Sequence, residues 1–139
     1  MKWMRKNPEE RRNELIDAAE ELFIKNGYEH TSVNNILKKT NLSKGAFYHY
    51  FKSKDQILDA VIERFIKLFL REIEKIIDNS NLNALQKFNV LVSKSWELKE
   101  PRLEMFKQFY YRNIDIYSAY KLNIRVRTTF VPLIVKIVK

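Results

Sequence analysis

Residues 42–54 read LSKGAFYHYFKSK, and this stretch holds four aromatic side chains, three lysines and one histidine but no carboxylate. On a helix, positions three, four and seven apart share a face. The face predicted to point inward consists of Phe47, Tyr50 and Phe51. The face predicted to point outward consists of Gly45, Tyr48, His49 and Lys52. One side of the segment is therefore expected to pack on the core, while the other meets something anionic.

The sequence just before this stretch predicts a second short helix. Ser32 can cap a helix of about two turns whose apolar face contains Val33 and Ile36. A tight turn follows, in which Asn41 can adopt a left-handed conformation and Ser43 can cap the next helix. A short helix, a turn and a second capped helix are typical of a helix-turn-helix motif, here over about residues 32–51.

The charge pattern favours DNA as the anionic partner. The net charge is +9, and residues 30–54 hold five lysines without any Asp or Glu, although the chain contains 17 acidic residues. A lysine-rich surface is more often only a solvated face, so charge alone does not decide. A glycine at position 45 would let a duplex approach the backbone closely, and the combination of these features favours DNA binding.

The rest of the chain is predicted to be helical. Two glycines and three prolines in 139 residues are few for a turn-rich β fold. Asn7-Pro8 is a strong helix start, and Ser53 with Gln56 forms a second capping box. The remaining predicted helices cover residues 8–26, 53–78, 83–99, 103–113 and 115–131.

Several functional classes are disfavoured by what the sequence lacks. It has no cysteine, which excludes disulfides and thiolate metal sites. The two histidines have no paired carboxylates near them in the sequence, and no glycine-rich phosphate loop is present. An enzyme, a metal site and a cofactor are therefore not predicted. No signal peptide and no long apolar span are visible, so we expect a cytoplasmic protein that does not enter a membrane.

Residues 31–36 (TSVNNI) and 42–54 closely resemble the DNA-binding signature of the TetR/AcrR family of bacterial transcriptional regulators. Residues 18–28 (AAEELFIKNGY) also match the family's first helix. The resemblance covers roughly residues 9–65. Asn41 stands where the family usually has glycine, and Leu37 and Thr40 stand where it has smaller residues. Asparagine tolerates the same turn geometry, so DNA binding is still expected.

The resemblance implies an all-α chain with a three-helix helix-turn-helix DNA-binding domain over residues 1–54. A helical regulatory domain over residues 55–139 would bind an effector and dimerise. The implied DNA-binding residues are Thr31, Ser32, Lys44, Gly45, Ala46, Tyr48, His49, Lys52 and Lys54. Among them, Thr31 and Ser32 would donate to phosphate, and Tyr48, Lys52 and Lys54 would hold the DNA backbone. The other four would lie nearest the bases.

The expected function is that of a ligand-responsive repressor, acting as a homodimer on a palindromic operator in double-stranded DNA. Aromatic residues crowd the later sequence and could line a pocket for a small-molecule effector, although helical spacing favours ordinary core. These effector candidates are Trp96, Phe106, Phe109, Tyr110 and Tyr117.

The sequence ends in an almost wholly apolar segment, residues 130–139. We expect from this that the regulatory domain is truncated or that a partner covers its end. An alternative function follows: a short interaction module could form mixed dimers with a full-length relative and block its DNA binding.

Overall fold

The fold is given by a computed structural model that describes residues 6–112, 124, 128 and 131–137. The helices are α1 (Pro8–Asn26), α2 (Val33–Thr40), α3 (Lys44–Tyr50), α4 (Lys54–Ile77), α5 (Ala84–Lys99) and α6 (Leu103–Arg112). A 3-10 turn over Glu100–Arg102 joins α5 to α6, and residues 131–137 are helical as well. Every regular element among the described residues is a helix, which confirms the all-α prediction. The helix predicted over 115–131 lies largely outside the described residues.

Side-chain caps set the helix ends where the sequence predicts them. Asn7 accepts from the Glu10 amide at 2.8 Å, while the Asn7 amide donates to the Glu10 carboxylate at 3.0 Å. At the other end of α1, Gly27 has a φ of 82° and donates to the Phe23 carbonyl at 3.0 Å. These bonds satisfy backbone groups that the helix itself leaves unpaired.

The cap of α4 differs slightly from the predicted box. Ser53 accepts from the Gln56 amide at 3.2 Å, as predicted, but the Gln56 side chain accepts from the Lys52 amide at 2.8 Å. The glutamine therefore reaches one residue further back than in a standard capping box. The bond fixes the short connection between α3 and α4.

Residues 1–63 form a compact unit, here called the N-terminal unit. In it α1 contacts α2, and α2 contacts α3. The core is composed of Leu15, Ile16, Ala18, Ala19, Phe23, Tyr28, Ile36, Phe47, Phe51, Ile57, Leu58, Val61 and Ile62. The unit ends inside α4, whose first turns supply core residues such as Ile57 and Val61.

Residues 64–139 form a second compact unit, here called the C-terminal unit. Along α4, every fourth residue from Phe65 to Ile77 is buried, and Ile137 joins the same cluster. The stacked rings of Phe65 and Phe69 lie 5.9 Å apart. A spacing of four residues keeps these side chains on one face of α4, and that face carries the core of the unit. None of the helices within the described ranges has the length and apolar character needed to cross a membrane.

The turn between α2 and α3 depends on one backbone conformation. Asn41 has φ 53° and ψ 26°, the left-handed region, and it ends α2. Apart from glycine, asparagine is among the few residues that adopt this region readily. The prediction that Asn41 makes this turn is therefore confirmed.

Replacing Asn41 tests how strongly the turn is specified. Asn41→Ala should lower the free energy of unfolding by about 1 kcal/mol, because alanine in the left-handed region meets its own carbonyl oxygen. Asn41→Gly should cost nothing or stabilise slightly, since glycine enters this region freely. Urea unfolding followed by circular dichroism measures both. Equal losses for the two variants would show that the asparagine side chain, not the backbone conformation, matters.

Candidate nucleic-acid interface

Helix α3 is short, so its position depends on capping and packing. The Ser43 hydroxyl accepts from the Ala46 amide at 3.1 Å and begins the helix. Phe47 is completely buried and Phe51 is 3% exposed, with their ring centres 6.0 Å apart. The Arg12 guanidinium of α1 lies 5.2 Å from the centre of the Phe51 ring. These contacts fix the rotation of α3 about its own axis.

The opposite face of α3 is open to solvent, as the sequence predicts. Lys44, Gly45, His49 and Lys52 are exposed, and Ala46 is half-buried. Tyr48 is 42% exposed and rests edge-on against Phe47, with ring centres 5.3 Å apart. Tyr50 is intermediate, neither fully inward nor outward, and its ring contacts that of His49 at 4.8 Å. The inward prediction thus holds for the two phenylalanines and only in part for Tyr50.

The protein's own packing does not require glycine at position 45. A Cβ built there would meet only the Ser43 hydroxyl, at an ordinary 4.0 Å. The residue lies within α3, where alanine would form helix more readily. Its presence on the outward face is consistent with a backbone that something outside the protein approaches closely.

Thr31 does not fit its predicted contact with phosphate. It is 1% exposed, and its hydroxyl donates to the carbonyls of Gly27 at 2.8 Å and Leu22 at 3.2 Å. The hydroxyl hydrogen is therefore used inside the protein, where it ties the end of α1 to the start of α2. Thr31 is a positioning residue in this structure.

Ser32 is exposed and begins α2. Its hydroxyl accepts from the Asn35 amide at 3.1 Å and donates to the Asn35 side chain at 2.8 Å. The Ser32 amide donates to the same side-chain oxygen at 2.8 Å. Ser32 and Asn35 thus complete a capping box at a surface that solvent or a ligand can reach.

Lys54 is also engaged within the protein. Its ammonium donates to the Tyr28 carbonyl at 2.9 Å and lies 4.1 Å from the centre of the Tyr28 ring. The Tyr28 hydroxyl in turn donates to the Asp55 carboxylate. Tyr28 is 7% exposed and packs on Phe23, so this cluster anchors the start of α4. The expectation that Lys54 grips the DNA backbone does not fit these contacts.

The five lysines of residues 30–54, the segment without Asp or Glu, are therefore not equally accessible to a ligand. Lys39 forms an ion pair with Glu21 of α1 at 2.7 Å, and Lys54 faces Tyr28. Lys38, Lys44 and Lys52 are exposed. Lys38 was not among the residues predicted from the sequence, although its place on α2 near the turn would have suggested it. The candidate interface consists of the exposed lysines Lys38 on α2, Lys44 on α3 and Lys52 just after α3. These side chains donate hydrogen bonds, and residues 30–54 contain no Asp or Glu.

A cavity of about 130 Å³ lies within the C-terminal unit. Among the described residues it is lined by α4, α5 and the helical residues 131–137, and Trp96, Phe106 and Phe109 are not part of that lining. Trp96 is 62% exposed, and Phe106 packs edge-on against Phe65 with ring centres 5.1 Å apart. Phe109 is half-buried. The Tyr110 side chain and Tyr117 lie outside the described residues. Nowhere in the described ranges do three His, Asp or Glu side chains group as a metal site requires.

Comparison with known proteins gives a consistent result. Residues 15–61 match the model of the family described as bacterial regulatory proteins, tetR family. The HTH-type transcriptional repressor KstR2 of Mycolicibacterium smegmatis is 32% identical over 95 residues, which are 68% of this chain and 46% of that protein. The fatty acid metabolism regulator protein of Bacillus subtilis is 29% identical over 112 residues, 79% of this chain and 57% of that protein.

A similar fold is found in a solved structure. The crystal structure of the probable transcriptional regulatory protein RHA5900 matches with a TM-score of 0.61 and 22% identity, over 88% of this chain and 68% of that one. At this identity the match concerns the fold alone. The chain spans about half the length of the curated relatives that it matches.

The internal bond of Thr31 can be tested by its energetic cost. Thr31→Val keeps the shape of the side chain but removes the hydroxyl, which leaves the partly buried carbonyls of Gly27 and Leu22 with one partner fewer. We expect a loss of about 1–2 kcal/mol in the free energy of unfolding, measured with urea.

Thr40→Val is the matched control. The Thr40 hydroxyl bonds to the carbonyls of Ile36 and Leu37 within its own helix. Because the helix backbone supplies other partners there, this variant should lose less stability. A Thr31 variant as stable as the wild type would contradict the positioning role.

Proposed function

We propose that the chain is a TetR-family regulator that binds DNA sequence-specifically and acts as a transcriptional repressor, because residues 15–61 match the model of that family. The observation that carries this proposal is the outward face of α3, which is exposed, basic and free of acids. It is presented by a helix whose other face is locked into the core through Phe47. A rigid helix with a polar, cationic outer face has the form that major-groove recognition requires.

The proposed roles follow from position on that face. Lys44 and Gly45 lie at the start of α3, the end of a recognition helix that meets base edges. Ala46 and His49 continue toward the bases, and Tyr48 and Lys52 hold phosphates from the flank. Ser32 adds a polar group at the start of α2, where helix amide groups attract phosphate. Since its proposed target is bacterial DNA, we expect the protein to act in the cytoplasm.

We further propose a homodimer on a palindromic operator. Two copies of α3 would then enter major grooves one helical turn apart, about 34–36 Å. Support for a protein contact comes from α5, where one face exposes large apolar side chains. These are Leu85, Phe88, Val92 and Trp96, each more than half exposed. Apolar surfaces of this kind are typical of contacts with another protein.

The C-terminal unit is proposed to bind a small effector. An effector lowers operator affinity only if it binds more tightly to the conformation that is poor at binding DNA. The cavity in this unit supports the proposal, because it lies along α4, the helix that also supplies core residues to the N-terminal unit.

The exposed face of α5 also suits the alternative function, an interaction module that forms mixed dimers with a relative. The two functions differ in one measurement. A regulator binds the DNA that flanks its own gene without help, whereas the interaction module binds no DNA itself and lowers the DNA binding of the relative that it captures.

Removing the charge of Lys44 should weaken DNA binding in a salt-dependent way. We expect Lys44→Ala to reduce affinity for the duplex upstream of the gene. If one phosphate contact is lost, log K should also fall less steeply with log salt, with a slope less negative by about 0.9. Fluorescence anisotropy at several salt concentrations measures both quantities.

Lys75→Ala is the matched control, because it removes the same charge from an exposed lysine in the C-terminal unit that is paired with Glu72. Its affinity and slope should stay at wild-type values. Equal effects from the two variants would mean that only net charge matters, and would contradict an interface on α3.

Gly45→Ala should separate folding from binding. Alanine should raise the free energy of unfolding by up to about 1 kcal/mol, because the site has room for a Cβ and alanine favours helix. It should weaken operator binding by roughly tenfold, since the methyl group stands between the backbone and the bases. Urea unfolding and anisotropy on the same preparation test the two effects. A variant that is more stable and binds DNA normally would exclude a close approach at Gly45.

A further inference from the structure

The lining of the cavity in the C-terminal unit is strongly asymmetric in polarity. Of the described residues that line it, all are Phe, Leu or Ile except Ser95 and Lys99. Both polar residues lie on α5, toward its carboxyl end. A mostly apolar cavity with a few polar groups at one place is typical of a site that orients a small ligand.

The polarity changes in order along α5. Leu91, Ser95 and Lys99 are four residues apart, so they lie in one row on one face of the helix. A ligand along this row meets first an aliphatic side chain, then a hydroxyl and then an ammonium group. Ile73 and Ile137 also line the cavity, and both are buried.

Lys99 places a positive charge at the polar end of the cavity. The Lys99 ammonium lies 5.0 Å from the centre of the Phe69 ring, and both residues line the cavity. None of the ion pairs within the described ranges involves Lys99. Its contact with an aromatic face leaves the ammonium able to donate to an anion.

The volume of the cavity suits a ligand with a short apolar group. An apolar cavity of about 150 Å³ accepts benzene, a molecule of six carbons. At about 130 Å³, this cavity holds an aliphatic chain of similar size, about five or six carbons.

We propose that this cavity binds an aliphatic monocarboxylate, with the carboxylate at Lys99 and Ser95 and the chain against Ile73 and Ile137. The inference rests on the proposed function, because it names the chemical class of the effector. Of the effector residues predicted from the sequence, Trp96, Phe106 and Phe109 are described and do not line this cavity.

The test compares hexanoate with its neutral analogue hexan-1-ol, by calorimetric titration of the full chain. We expect saturable binding of one hexanoate and about tenfold weaker binding of hexanol, because only the carboxylate forms a charge-assisted bond. Lys99→Met should weaken hexanoate by about tenfold and leave hexanol unchanged. Lys94→Met is the control, since Lys94 lies on the same helix, pairs with Glu97 and does not line the cavity.

The proposal is overturned if the folded protein shows no saturable binding of hexanoate, or if hexanol binds equally well. It is also overturned if Lys99→Met binds hexanoate normally, or if Lys94→Met weakens it as much. DNA binding measured on the same preparation keeps this result separate from the proposed function. Loss of DNA binding alone would contradict the regulator, whereas loss of hexanoate binding alone would contradict only the ligand.

Discussion

The candidate interface depends on the complete burial of Phe47. Helix α3 has only seven residues, and a helix this short is unstable in isolation. Its position must therefore come from packing, and Phe47 together with Phe51 provides it. Burying such a ring contributes about 2–3 kcal/mol, and it also decides which residues face solvent. A rotation of α3 that exposed Phe47 would turn Lys44, Gly45 and Tyr48 away from any ligand. In this unit, one face of α3 packs on the core and the opposite face is the proposed recognition surface.

The sequence predicted the helices well because their ends are encoded locally. Caps such as Asn7 and Ser43 act on amides three residues away, and Asn41 sets its own backbone conformation. Periodicity also placed Phe47 and Phe51 on the inner face of α3 and Gly45 and Tyr48 on the outer face, while Tyr50 lies between the two faces. The roles of Thr31 and Lys54 depend instead on distant partners. Thr31 bonds to Leu22 and Lys54 to Tyr28, and these separations are set by the tertiary fold. Spacing along one helix contains no information about them.

The C-terminal unit shows the limit of reasoning from composition. A dense group of aromatic residues suggested a pocket, yet Phe106 packs against Phe65 while Trp96 is largely exposed. The cavity is formed where α4, α5 and residues 131–137 meet, mainly by aliphatic residues far apart in the sequence. Aromatic content predicts buried area but not the place where packing leaves a space. The polar row from Leu91 to Lys99 has helical spacing and could be found only after the cavity itself was known.

The exposure of Trp96 has a practical consequence. The chain has two tryptophans, and the indole of Trp96 is 62% open to water, one residue beyond Ser95 on α5. An indole in water emits at longer wavelength than one in an apolar environment. Intrinsic fluorescence can therefore follow any event that covers this face of α5 without a label or a substitution. Trp96 does not line the cavity, but it follows Ser95, which does. Its emission can therefore report changes on α5 next to the cavity.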